Sequence, residues 1–260
     1  MGSATTQALA AGADALAAAR VDLDTARELF AASRAVAGSS ALSGALADQA
    51  AAADVRGALV GRVFGTLSPV AQSLLAEAAA QRWSSASDLV SGIEELAIRA
   101  TAKAETADVE AELFQVSRIV SANPELELAL GSRLGDDAKK GELIATLLQG
   151  TASTGTTLIV SSLVQQSRGR RVRALLTRAM KLVSAERGRT VATVYTKAPL
   201  TAEQSERLAA SLGRIYGGGV SLNPVIDPAV VGGIRIQVAD DVIDGSISSR
   251  LADLRQRLAG

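Results

Sequence analysis

Apolar residues return at helical spacing through most of the first 187 positions. Leu9, Ala13 and Leu16 predict a helix ending near Ala19, and Leu23, Ala26, Leu29, Phe30 and Val36 predict a second, stopped by Gly38-Ser39-Ser40. Leu42 and Leu46 belong to a third, and Val55, Leu59, Val60 and Val63 to a fourth. Ser68-Pro69 opens a fifth, with proline at the first helical position, where its missing N–H costs nothing. Leu74, Leu75 and Ala78 then face inward. After Arg189 the period drops to two. Residues 191–196 are β-branched enough for a strand, and Thr201 and Gln204 form a capping box for a helix with Leu208, Leu212 and Ile215 inward. A strand follows at 220–224. Ile234, Ile236 and Val238 alternate with Arg235 and Gln237, as expected of a strand with one buried face. Asp240-Asp241 can turn the chain, Val242-Ile243 can return, and Ile247, Leu251, Leu254 and Leu258 mark a final helix.

The helical part repeats itself. Leu29-Phe30, Ser33-Arg34, Val36, Leu42 and Leu46 recur as Leu113-Phe114, Ser117-Arg118, Val120, Leu126 and Leu130, a constant offset of 84 without a gap that continues to Leu74 and Leu158. The same offset carries the first helix onto the region of Ile93. No glycine or proline follows Gly92 for thirty positions, so one long helix, about 86–120, is expected to close one bundle and open the next. The predicted fold is mainly α with a small α+β C-terminal domain: two tandem bundles sharing a long helix, then a β-α-β-β-α domain. The boundaries are 1–104, 105–188 and 189–260.

Composition narrows the chemistry. The chain has no cysteine and no histidine, which removes disulfides, thiolate metal sites, the commonest zinc ligand and the commonest general base. The 27 basic residues balance the 27 acidic ones, so no global field favours nucleic acid or anionic lipid. No apolar run is long enough to span a bilayer, and the first residues read as a helix rather than a signal peptide.

No motif supplies an active site. Gly217-Gly218-Gly219 lacks the Lys-Ser/Thr of a P-loop and precedes a strand, so a helix end and a turn fit it better than a phosphate cradle. Asp240, Asp241 and Asp244 lack the glycine and distal glutamate of a calcium loop, and read as a solvated turn. The serines have no histidine to activate them. No cofactor and no metal is expected. The one basic concentration runs from Arg168 through Arg170, Arg171, Arg173, Arg178, Lys181 and Arg187 to Arg189, opposite an apolar stripe of Val172, Leu175, Leu176, Ala179, Leu182 and Val183. A solvated outer face is the default reading, and an acidic protein partner is the functional one. Nucleic acid comes third, because no aromatics interleave the arginines.

The end of the chain carries a resemblance. Gly232-Gly233, the alternating strand, the acidic residues, Val242-Ile243-Asp244-Gly245-Ser246 and an Arg/Leu-rich helix resemble the C-terminal signature of the delta subunit of F-type ATP synthase, called OSCP in mitochondria. The doubled helical part is similar to the enlarged delta subunits of actinobacteria. The resemblance implies a non-catalytic peripheral-stalk (stator) subunit that links the catalytic head to the membrane sector and supports proton-driven ATP synthesis. It implies a peripheral location on the cytoplasmic side of the cell membrane, with the membrane reached only through the complex. Its partners would be the N-terminal helix of the alpha subunit, held between the first and fifth helices, and the C-terminus of the b subunit. On this chain the matching groove would be lined by Leu9, Ala13, Leu16, Val70, Leu74 and Ala78, and the b-contact region would hold Arg235, Gln237, Asp244 and Arg250. Ala8-Leu9-Ala10 stands where the family has a tyrosine. Read from the residues alone, a helical-repeat scaffold for an unrelated complex stays open.

Overall fold

The computed structural model describes residues 2–132, 135–238 and 241–245. Its helices are α1 (Ser3–Ala18), α2 (Leu23–Gly38), α3 (Ser40–Ala47), α4 (Ala53–Val63), α5 (Pro69–Ala80), α6 (Ala86–Ala104), α7 (Val109–Ala122), α8 (Pro124–Gly131), α9 (Asp137–Leu148), α10 (Thr154–Gln165), α11 (Val172–Glu186) and α12 (Ala202–Tyr216). Its strands are β1 (Arg189–Thr196), β2 (Gly219–Ile226), β3 (Ile234–Val238) and β4 (Asp241–Asp244). They form two compact units, residues 1–183 and 184–260.

Seven helices of the first unit begin where a short polar side chain takes up free backbone N–H groups of the first turn. Asp22, Ser39, Ser68, Ser85, Asp108, Asp136 and Ser153 all do so. One core cluster runs from Ala8 to Val183 and is rich in alanine, including Ala26, Ala71, Ala97 and Ala179. Small side chains let the helices approach closely. A tight approach occurs at Gly92, where an added Cβ would lie 2.1 Å from Cη2 of Trp83. That indole is itself buried, and its Nε1 donates to the carbonyl of Ala78 at 2.7 Å.

Helices of the first half return in the second. The α3 and α4 starts, 40 and 53, recur at 124 and 137, both 84 later. From α5 the spacing is 85, because Ser68 and Ser153 cap equivalent helices and 153 − 68 = 85. Burial agrees: Ala71, Leu74, Leu75, Ala78 and Ala79 correspond to Thr156, Ile159, Val160, Leu163 and Val164, all buried. The gapless register expected through Leu158 is therefore corrected by one residue. Leu158 is only partly buried, and Ile159 fills the core position. A paired device recurs as well. The Ser68 N–H and hydroxyl donate to Glu28 at 3.0 and 2.5 Å, and those of Ser153 donate to Glu112 at 2.9 and 2.6 Å. Each carboxylate on the second helix of its repeat thus pins the start of the fifth. Burial pushes the Glu112 carboxyl up, but the Ser153 and Thr156 hydrogen bonds outweigh it and hold the group below its ordinary range.

The single helix expected over 86–120 is two, α6 and α7. Glu105 leaves helical geometry at φ −91° and ψ 132°, and its carboxylate accepts the N–H groups of Thr106 at 3.0 Å, Ala107 at 3.3 Å and Gly155 at 3.0 Å. Asp108 then caps α7 through Ala111 N–H at 3.3 Å. Side-chain acceptors end the helix here without glycine or proline.

In the second unit a four-stranded sheet has the order β2-β1-β3-β4. β1 and β2 are parallel and joined by α12, whereas β3 runs antiparallel to β1, and β4 to β3. The capping box at Thr201 is present, and Gly217 ends α12 in the left-handed region at φ 72°, where glycine carries no Cβ penalty. Ala192, Val194, Leu212, Ile236 and Val238 form the core. Ile215, expected inward, is 67% exposed, and Tyr216 packs against the core instead. The final helix expected around Leu251, Leu254 and Leu258, and the Asp240 part of the turn, lie outside the described residues.

Candidate partner-binding surfaces

α1 buries one stripe, Thr5, Ala8, Gly12 and Leu16, and is held to α6 at both ends. Thr5 Oγ1 lies 3.0 Å from both Asp88 Oδ2 and Ser84 Oγ. Lys103 Nζ donates to the carbonyls of Leu16 and Ala17 at 2.8 Å and of Ala19 at 3.0 Å, a cation on the negative end of a helix. Between these clamps Gly12 lets the two helices touch, since a Cβ there would meet Leu96 at 3.2 Å. α5 packs beside α1.

The six groove residues that the resemblance implies divide into two layers. Leu16, Leu74 and Ala78 are core, each 3% exposed or less, and the chain itself covers them. Leu9, Ala13 and Val70 are half-buried and reach the surface. Leu9 and Ala13 are one turn apart, so they share a face of α1. The corresponding opening helix of the second repeat, α6, differs. Twelve of its 19 residues are buried, against four of 16 in α1, because α6 is packed from both repeats.

In the second unit Arg235 stands opposite Asp244 and Tyr195 in register, and Gln237 opposite Val242 and Thr193. Register partners point to the same side of a sheet, so Arg235, Gln237 and Asp244 share the face turned away from the core. The Arg235 guanidinium sits 4.4 Å from the Tyr195 ring centroid and 3.8 Å from Asp227. Arg250 lies outside the described residues.

The basic run is resolved differently from its default reading. The predicted stripe of α11 is buried throughout, but Arg168, Arg170 and Arg178 turn to Glu94, whose side chain is 3% exposed. Arg170 grips it with both nitrogens, at 3.0 and 2.8 Å, and Arg178 also reaches Glu95 at 3.1 Å. Glu95 is shared with Arg99 at 2.9 Å, and Arg173 pairs with Glu127 at 2.7 Å. Four of the basic residues therefore bind carboxylates of the chain itself, whereas Arg171 and Lys181 face outward. Glu94 and Glu95 are not singled out by any sequence motif. Their one signal is two adjacent acids inside an otherwise apolar stretch of α6.

No group of metal-ligating side chains occurs among the described residues, and no helix there is long and apolar enough to cross a membrane.

Comparison with known proteins agrees with the C-terminal signature. Residues 95–258 match the family model for the ATP synthase delta (OSCP) subunit. The chain is 48% identical to ATP synthase subunit delta of Leifsonia xyli over the full length of both chains. Identity to the protein of that name is 44% in Streptomyces avermitilis, over 82% of this chain and 81% of that one. In Kineococcus radiotolerans it is 39%, over 91% and 88%.

Proposed function

This chain belongs to the ATP synthase delta (OSCP) family, and we propose how its two units divide the work of that family between them. The chain is a non-catalytic part of the peripheral stalk, holding the catalytic head so that rotor torque drives ATP synthesis instead of spinning the head. The observation that carries this reading is the identity with the delta protein of Leifsonia xyli along the entire chain.

Residues 1–104 and 105–188 are taken as two copies of one bundle sharing α6, and 189–260 as the end domain. The N-terminal helix of the alpha subunit docks on α1 and α5, with Leu9, Ala13 and Val70 in contact and Leu16, Leu74 and Ala78 as the packed floor beneath them. Support comes from the contrast in burial. The family match begins at residue 95, inside α6, yet α6 is covered on most sides, while α1 keeps a free apolar face. The b subunit, through its C-terminal end, meets the sheet face of Arg235, Gln237 and Asp244, and Arg250 belongs to the same contact region. The protein then sits on the cytoplasmic side of the cell membrane, peripheral, and reaches the membrane only through the complex. Co-purification tests this reading. Tagged chain should bring down alpha and b subunits together, and recovery of neither would refute it.

A further inference from the structure

A cleft of about 600 Å³ opens in the first unit between the C-terminal end of α2, the N-terminal end of α9 and the turn at 165–169. Arg34, Gln165, Ser167 and Arg168 are among its lining residues, and the Arg168 guanidinium is engaged by Ser91 and Glu94. Arg34 is half-buried, yet among the described residues no carboxylate or hydrogen-bond acceptor meets it. Burial alone holds its pKa below the ordinary arginine value. Arg168 is strained and incompletely satisfied. Its φ is 52°, a left-handed conformation that side chains other than those of Asn and Asp seldom adopt, and its Nε is buried without a partner. Glu94 also engages Arg170 and Arg178, so one carboxylate serves three cations.

We propose that this cleft receives a carboxylate side chain from an acidic segment of a partner protein, with Arg34 as the anchor. A half-buried cation without a counter-ion costs free energy that an incoming anion recovers, and the planar fork of arginine matches a carboxylate in two parallel hydrogen bonds. The rest of the lining sets the size of the charge. The negative end of α2, at Gly38, and the Asp137 carboxylate both border the cleft, the latter paired with Lys140 at 2.8 Å. These oppose a doubly charged phosphate more than a single carboxylate. Nothing in this geometry depends on the alpha or b contacts.

The test uses the full chain, labelled on arginine, titrated at low ionic strength with a capped tetraglutamate peptide and, separately, with inorganic phosphate. The Arg34 Nε–H resonance should shift saturably with the peptide and bind phosphate more weakly. Arg34→Gln should weaken peptide binding about tenfold, and Arg34→Lys less, because the charge survives without the fork. Arg118→Gln, at the exposed equivalent 84 residues on, should change nothing. Thermal melting of Arg34→Gln should match the parent. The proposal is overturned if the peptide fails to saturate, if Arg34→Gln binds as well as the parent, or if phosphate binds more tightly. It is also overturned if Arg118→Gln weakens binding equally, or if Arg34→Gln lowers Tm, which would make Arg34 part of the folded core.

Discussion

Gly92 has no side chain because Trp83 occupies that space, and the indole cannot retreat without giving up its bond to Ala78. Gly92→Ala should therefore destabilise the first unit by about 1–3 kcal/mol through overpacking, although alanine is the better helix former. Melting followed by circular dichroism decides between those effects, and an unchanged or higher Tm would mean that the indole moves freely. Glu94 presents the opposite case, a buried acid whose loss removes the carboxylate shared by Arg168, Arg170 and Arg178, of which Arg178 keeps Glu95. Its replacement by Gln should cost up to about 3 kcal/mol, moderated because each arginine keeps some access to water. For a unit of this size that is a fall in Tm of roughly 6–12 °C. Glu112 adds a pH dependence. Its folded pKa lies below the unfolded value, so its contribution is complete above the unfolded pKa and disappears as pH falls through the folded one. Glu112→Gln should accordingly flatten the acid limb of the stability curve below the ordinary glutamate range, and an unaltered limb would contradict the assignment.

Among elements, those written in local pattern were legible. Helix starts at Ser68 and Thr201, the change of period at Arg189 and the alternation of Ile234, Ile236 and Val238 all follow from neighbours in sequence. Features made by distant partners were not. The Glu105 carboxylate that ends α6 is held by Gly155 as well as by its neighbours Thr106 and Ala107, and the inward turn of Arg168, Arg170 and Arg178 depends on Glu94, more than seventy residues away. For the groove that the resemblance implies, periodicity placed Leu74 and Ala78 inward but could not separate a buried floor from the half-buried Leu9, Ala13 and Val70. That separation is testable. Leu74→Ala should cost about 2–5 kcal/mol by opening a void in the core. Leu9→Asp should leave melting nearly unchanged and weaken binding of an alpha N-terminal peptide. Should Leu9→Asp bind that peptide normally while remaining folded, the helix must dock elsewhere.

At the scale of the whole molecule, one chain carries a helical unit and a separate small α+β unit, which suits a tie between two partners better than a catalyst. A stator tie is needed for coupling and not for chemistry. Membranes stripped of this chain should keep hydrolysing ATP, because the catalytic head is intact, but should lose ATP-driven proton pumping. The measurement that tests the account most directly is pumping, followed by quenching of a pH-sensitive dye in stripped vesicles, before and after adding back the purified chain. Pumping should return with the full chain while the rate of hydrolysis per head changes little. Full pumping in vesicles that lack the chain would contradict the central claim.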